Sequence, residues 1–228
     1  EGTIDKYMGD CIMAFWNAPL DVANHAHHAC DSALAMRNAL DVLNADRLIA
    51  AKQEDVPFLP LNVGDGINCG DCLVGNMGSD QRFDYAVLGD AVNLAARLEG
   101  QSKNYGVDIV LGEEVAKRVE NDFAILELDL IAVKGKSEAV HIYAHLGDGK
   151  LYGSEEFQNC QTLHKDMLAA YREKDWDSTI ELVAQGRDAS RGVGALAGLY
   201  DMYLDRIAIF KQTPPPADWN GVFVATSK

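Results

Sequence analysis

Long apolar runs are missing from this sequence. Nothing approaches the ~20 residues that a membrane-spanning helix needs, and no charged-then-apolar leader opens it. Positive charge is scarce too, with 20 Lys+Arg against 35 Asp+Glu in 228 residues and a formal net charge of −15. A protein that neutralises nucleic-acid phosphates needs a basic face, so this balance argues against a nucleic-acid partner and leaves small anions bridged by metal ions. The five cysteines, Cys11, Cys30, Cys69, Cys72 and Cys160, are odd in number and scattered. Reduced thiols in a cytoplasmic compartment are the expectation. Cys69 and Cys72 form a single CxxC without a second pair, too little for structural zinc. The glycines between positions 64 and 78 lack the following Lys-Ser/Thr of a GxxxxGK loop, so turns and tight packing are their expected use. His25, His27 and His28 read as solvated imidazoles at a helix start rather than as a metal site. What is present, 48% hydrophobic and 24% charged residues, is the composition of an ordinary globular protein. Position 1 is Glu, which reads as the start of a piece excised from something longer.

Residues Gly2 to Trp16 alternate around Met8-Gly9-Asp10 and predict two strands with Asp10 at the hairpin tip. Apolar residues at three- and four-residue steps from Val22 to Leu43 predict a long helix over Asp21 to Lys52, closed by Pro57 and Pro60. A strand over Leu61 to Ile67 and another over Phe83 to Leu88 follow. A helix over Asp90 to Glu99 ends at Gly100. Then come a strand (Val107 to Leu111), a helix (Glu113 to Glu120) and strands near Phe123 to Val133 and Ala139 to His145. This first domain, residues 1–146, gives way to a linker over 147–154 and a helical extension over 155–228. The extension reads as three helices, the second starting at Asp175-Trp176-Asp177. Tyr171 to Asp177 is similar to the turn of a tetratricopeptide unit, although a second copy is lacking. The proline-rich Pro214 to Trp219 cannot be helical and is expected to run over a surface.

Two stretches carry more information than the rest: Lys6-Tyr7-Met8-Gly9-Asp10, and Asp84-Tyr85-Ala86-Val87-Leu88-Gly89-Asp90 with the Asn93 to Glu99 helix behind it. With Phe15 to Pro19, Gly66 to Gly70, Val74 to Ser79 and Val133 to Lys136, they resemble the catalytic domain of class III nucleotidyl cyclases, in family order and spacing. The resemblance covers residues 1–146. It implies an α+β fold, a ferredoxin-like βαβ core with additions, followed here by the small α-helical extension. It also implies an adenylate cyclase of bacterial type that turns ATP into 3′,5′-cyclic AMP and pyrophosphate at a homodimer interface, using two Mg²⁺ or Mn²⁺ ions.

By that resemblance Asp10 is one of two metal-binding aspartates. The other belongs to an upstream strand with a Gly-Phe-Thr type signature that this sequence lacks, which fits a chain cut below it. Asn93 and Arg97, four apart on one helix face, match the residues that orient the ribose and stabilise the α-phosphate. An amide and a guanidinium aimed at one point suit a charged phosphoryl transition state. Lys134 matches the triphosphate-binding lysine, with Lys136 close enough to compete for the role. Lys6 and Ala86 hold the base-reading positions. Lys6 donates to adenine N1 and so leans towards ATP, whereas Ala86 offers no acceptor where relatives carry Asp, Thr or Ser. Asp65 puts an acid where an apolar strand residue is usual; turned inward it would repel a triphosphate. The open alternatives are a non-catalytic homology domain, a cyclase of relaxed or GTP specificity, and an extension that serves a protein partner. Relatives often carry a membrane sensor ahead of this domain, which implies a cytoplasmic catalytic part on a tethered parent.

Overall fold

The computed structural model describes residues 2–79, 81–132 and 139–224. Its first element is the expected hairpin, β1 (Thr3–Met8) and β2 (Cys11–Phe15). Gly9 supplies the positive φ of 65° that its tight turn requires. The long helix α1 runs His25–Glu54 and stops at Asp55, which adopts the left-handed conformation ahead of Pro57. Only its first half is buried, through Ala26, Ala29, Cys30 and Ala33. Val42, Leu43 and Ile49 remain exposed. The strand expected from Leu61 is shorter than read: β3 is Asp65–Ile67. Leu61 is held outside the sheet by Asn44, whose side-chain amide donates to the Leu61 carbonyl at 2.8 Å and accepts from its N–H at 2.9 Å.

The glycine-rich stretch contains a strand that the sequence reading assigned to turns. β4 (Leu73–Ser79) pairs antiparallel with β5 (Arg82–Leu88). Helix α2 extends over Asp90–Tyr105 rather than stopping at Gly100, and Gly106 caps it with φ 65°. An interior glycine costs a helix about 1 kcal/mol relative to alanine, but Leu98, Ser102 and Tyr105 continue the buried stripe, and that burial outweighs the penalty. β6 (Ile109–Gly112), α3 (Glu113–Val119), β7 (Ala124–Ala132) and β8 (Val140–Gly147) complete the sheet elements of this part. β3 and β6 are parallel with α2 between them in sequence. β8 is antiparallel to both β6 and β7. With β9 (Phe223–Val224) at one edge, the central sheet is therefore mixed, in the order β3-β6-β8-β7-β9, and the fold is α+β as expected.

The segment read as a linker holds a short helix, α4 (Gly149–Tyr152), whose N-terminal amides bond to the Asp148 carboxylate. Helices α5 (Glu155–Arg172), α6 (Trp176–Ala189) and α7 (Ala197–Gln212) follow, with Ser154 and Asp175 capping the first two. Their apolar faces join one cluster with Leu94, Leu98 and Tyr105 of α2 and Leu126 and Leu128 of β7. The tail does run over this surface. The Lys174 ammonium donates to the Pro216 and Ala217 carbonyls, Trp219 packs among Tyr171, Trp176 and Phe210, and β9 (Phe223–Val224) joins the sheet edge beside β7.

Two buried polar groups tie the extension to the sheet. Arg206 of α7 donates to Asp129 at 2.6 Å, and Tyr105 of α2 donates to the same carboxylate oxygen at 2.7 Å. The Arg206 guanidinium also lies 3.5 Å from the ring centre of Phe223. Glu127 is bonded by Arg172 and His141, each at 2.5 Å. Burial would raise its pKa, but the hydrogen bonds and charge of Arg172, with the hydrogen bond to His141, outweigh it and hold the carboxyl below the usual range. His164 Nε2 donates to the Glu127 carbonyl at 2.7 Å and is fully buried, which drops its pKa to about 4.

Candidate functional site

Gly66 explains how α2 reaches its place. A side chain there would meet the backbone of Ala95 and Glu99 at 2.2–2.3 Å, so only glycine lets the helix lie directly on β3. With Leu94 and Leu98 turned into the core, the adjoining face of α2, about 100° round the helix, carries Asn93, exposed, and Arg97, half-buried. They share a face, as their spacing predicts. Among the described residues Arg97 has neither an ion pair nor a side-chain hydrogen bond. A half-buried guanidinium in such a setting can take an anion from outside the chain.

Lys6 and Ala86, far apart in sequence, are brought together through a residue that the sequence reading missed. Asp5 is the extra residue at the register slip between Ile4 and Lys6 in β1. Its side chain is 1% exposed, against 45% for that of Lys6. One carboxylate oxygen accepts from the Val87 N–H at 3.4 Å, next to Ala86, and the other lies 3.4 Å from the Lys6 ammonium. Ala86 is buried opposite Gly75 across the β4–β5 pair. The signal available in the sequence was an acid at a strand position adjacent to the base-reading lysine.

Asp10 stands exposed at the tip of β1–β2. A hard, solvent-facing carboxylate fits one ligand position of a Mg²⁺ or Mn²⁺ ion shared with phosphate oxygens. The described residues contain no group of three or more His, Cys, Asp or Glu able to hold a metal by themselves. Lys134 and Lys136 lie outside the described residues.

A hollow of about 350 Å³ opens between the end of β3 and the starts of α2 and α3. Asp71, Asp90, Glu113 and Glu114 line it, and among the described residues none of the candidates borders it. Asp65 does not border it either. Its half-buried carboxyl has a raised pKa because burial and Glu99 push it up more than the Arg37 charge pulls it down. The histidines at the start of α1, expected to be solvated, are partly so. His27 packs on Phe123 with ring centres 4.5 Å apart, and half-buried His25 sits 3.6 Å from the Cys69 sulfur. All five cysteines are free thiols, and no helix among the described residues is long and apolar enough to cross a membrane.

Residues 5–146 match the family described as Adenylate and Guanylate cyclase catalytic domain. An adenylate cyclase of Anabaena cylindrica is 40% identical over 146 residues, which is 62% of this chain and 28% of that protein. The chain spans less than a third of the length of the curated relatives it matches. Among solved structures, the adenylyl cyclase CyaB from P. aeruginosa is similar at 34% identity and TM-score 0.55, covering 64% of this chain and 72% of that one. The guanylyl cyclase Cya2 is similar at 29% identity and TM-score 0.54, covering 67% and 73%. A family match across most of the chain, with the same fold in solved relatives, means that this chain belongs to the adenylate and guanylate cyclase catalytic domain family.

Proposed function

We propose that this chain is the catalytic part of an adenylate cyclase, forming 3′,5′-cyclic AMP and pyrophosphate from ATP by attack of the ribose 3′-hydroxyl on the α-phosphorus. The observation that carries the reading is the face of α2 where, among the described residues, Arg97 has neither an ion pair nor a side-chain hydrogen bond beside Asn93. In this reading the Asn93 amide fixes the ribose so that its 3′-oxygen lies in line with the scissile bond. The Arg97 guanidinium meets the negative charge that grows on the α-phosphate oxygens, where a prepositioned donor accelerates most. The Lys6 ammonium donates to adenine N1. Lys134 serves as a point charge for the β- and γ-phosphates, with Lys136 as its near competitor. Asp10 would hold a divalent ion, which neutralises phosphate charge when bound.

The two ends of this machinery belong to different protomers of a homodimer, Asp10 on one and Lys6, Asn93 and Arg97 on the other. Exposed apolar side chains on the two hairpins, Tyr7, Met8 and Ile12 on β1–β2 and Phe83 and Leu88 on β5, support such pairing. Ala86 favours one second reading, a cyclase of relaxed base selection. Complementation tests the shared site. Asp10→Ala and Arg97→Ala should each lower turnover at least about 100-fold in the intact gene product, and mixing them should restore about a quarter of the wild-type rate, because half the dimers are mixed and each has one intact site. No recovery in a mixture shown to exchange subunits would contradict a composite site.

A further inference from the structure

A buried carboxylate oxygen without a hydrogen-bond donor is costly, and this molecule keeps one at Asp5, directly between the two positions assigned to base reading. Oδ2 is occupied by the Val87 N–H. Oδ1 accepts no hydrogen bond and has only the Lys6 ammonium at 3.4 Å. Nothing about hairpin pairing demands an acid at this point, because the strand partners of Ile4 and Lys6 are Ala14 and Met13 and the slip leaves Asp5 without a counterpart.

Resting on the adenylate cyclase reading, we infer that Asp5 is the specificity-determining acceptor for the exocyclic amine of adenine, replacing the side chain that Ala86 lacks. A carboxylate only accepts and an ammonium only donates, so Asp5 and Lys6 present one acceptor beside one donor. Both purines offer a complementary pair on their Watson–Crick edge, and depth decides between them. The substituent at position 6 lies far from the sugar and enters deepest, while N1 follows it. Here the deep group is Asp5 and the shallower one is Lys6, as their 1% and 45% exposures show. Adenine places its amine donor against the deep carboxylate and its N1 acceptor against the ammonium. Guanine in the same pose sets the O6 lone pairs against the carboxylate and its N1–H against the ammonium, so both contacts are repulsive. Ala86, small and buried opposite Gly75, puts no competing polar side chain at that position.

The test compares kcat/KM for ATP and for GTP, with Mn²⁺, in the intact gene product and its Asp5→Asn variant. Asn is nearly isosteric and its carbonyl can still accept from Val87. Its amide then turns a donor towards the base amine. The expected result is a fall of about 10- to 100-fold in kcat/KM for ATP, the scale of a hydrogen bond to a charged group, with GTP held or improved. Adding Ala86→Thr to Asp5→Asn should recover most of the loss for ATP while doing little in the wild-type background, a rescue that a purely structural Asp5 would not show. If Asp5→Asn melts early, Asp5→Ala with and without Ala86→Thr gives the same comparison. An ATP-selective wild type whose variant loses nothing, or loses both nucleotides equally without rescue, overturns the assignment of Asp5 alone. A wild type that turns over neither nucleotide overturns the cyclase reading and this inference with it.

Discussion

Replacing Arg206 by Met tests how the C-terminal helices hold α2 in place. Arg206 is 9% exposed and its partner Asp129 is 2% exposed. Burial alone would lower the Arg206 pKa, yet Asp129 and the neighbouring tyrosines raise it, so the cation is held by its surroundings. Removing it strands a carboxylate that keeps only the Tyr105 hydroxyl at 2.7 Å and its neighbour's N–H, Leu130, at 2.8 Å. Breaking one side of a buried pair costs about 3–5 kcal/mol, and the two remaining donors place this case near the lower end. Loss of the contact with Phe223 adds about 1 kcal/mol. The total, about 4 kcal/mol, corresponds to a fall in Tm of roughly 8–16 °C for a chain of this size. Urea unfolding followed by circular dichroism measures it. Asp129→Leu combined with Arg206→Met should regain much of the loss, since an apolar pair leaves no charge buried without a partner. A loss below about 1 kcal/mol for Arg206→Met would refute the view that this network fastens α7 to α2 and β7.

Arg97→Ala should lower kcat by about 10²- to 10³-fold with an unchanged melting curve; steady-state kinetics beside a thermal melt checks both halves. Gly66→Ala should destabilise by about 2–3 kcal/mol or more, because its methyl would meet α2 backbone, and should impair turnover as α2 shifts; denaturant titration reads the first and kinetics the second. Acidification should destabilise through His145 and His164, whose folded pKa values burial depresses from 6.5 to about 4. The unfolded chain then binds more protons than the native one between those values, so stability is present above the unfolded pKa and falls as pH drops below it. Each contributes roughly 2 kcal/mol of loss from pH 7 to pH 5, and His164→Gln should flatten that slope in urea titrations run across the range.

Much of the architecture was legible because local signals and burial agreed. The hairpin around Gly9-Asp10, the start of α2 at Asp90 and the break at Asp175 all combine turn or capping chemistry with a clear apolar pattern. Where the two disagreed the sequence reading erred. Gly100 looked like a helix end, but Leu98 and Tyr105 bury the helix on either side of it. Gly75 and Gly78 looked like turns, but pairing with Ala86 and Phe83 makes them part of a strand. The histidines of α1 looked fully solvated because nothing local reveals that Phe123 packs against His27. Of the candidate site, the Asn93 and Arg97 face followed from spacing alone. Asp5 did not, since its importance comes from a register slip and from the arrival of Val87, neither of which spacing encodes.

The most direct test of the cyclase reading is product formation. The intact gene product is incubated with Mn²⁺ and either ATP or GTP at a concentration where it is shown to be dimeric, beside Asp10→Ala, and the nucleotides are separated by chromatography. The account predicts cyclic AMP and pyrophosphate in equal amounts from ATP, little cyclic GMP, and no product from the variant. Intact ATP after prolonged incubation with the dimer, or cyclic GMP as the main product, would contradict it.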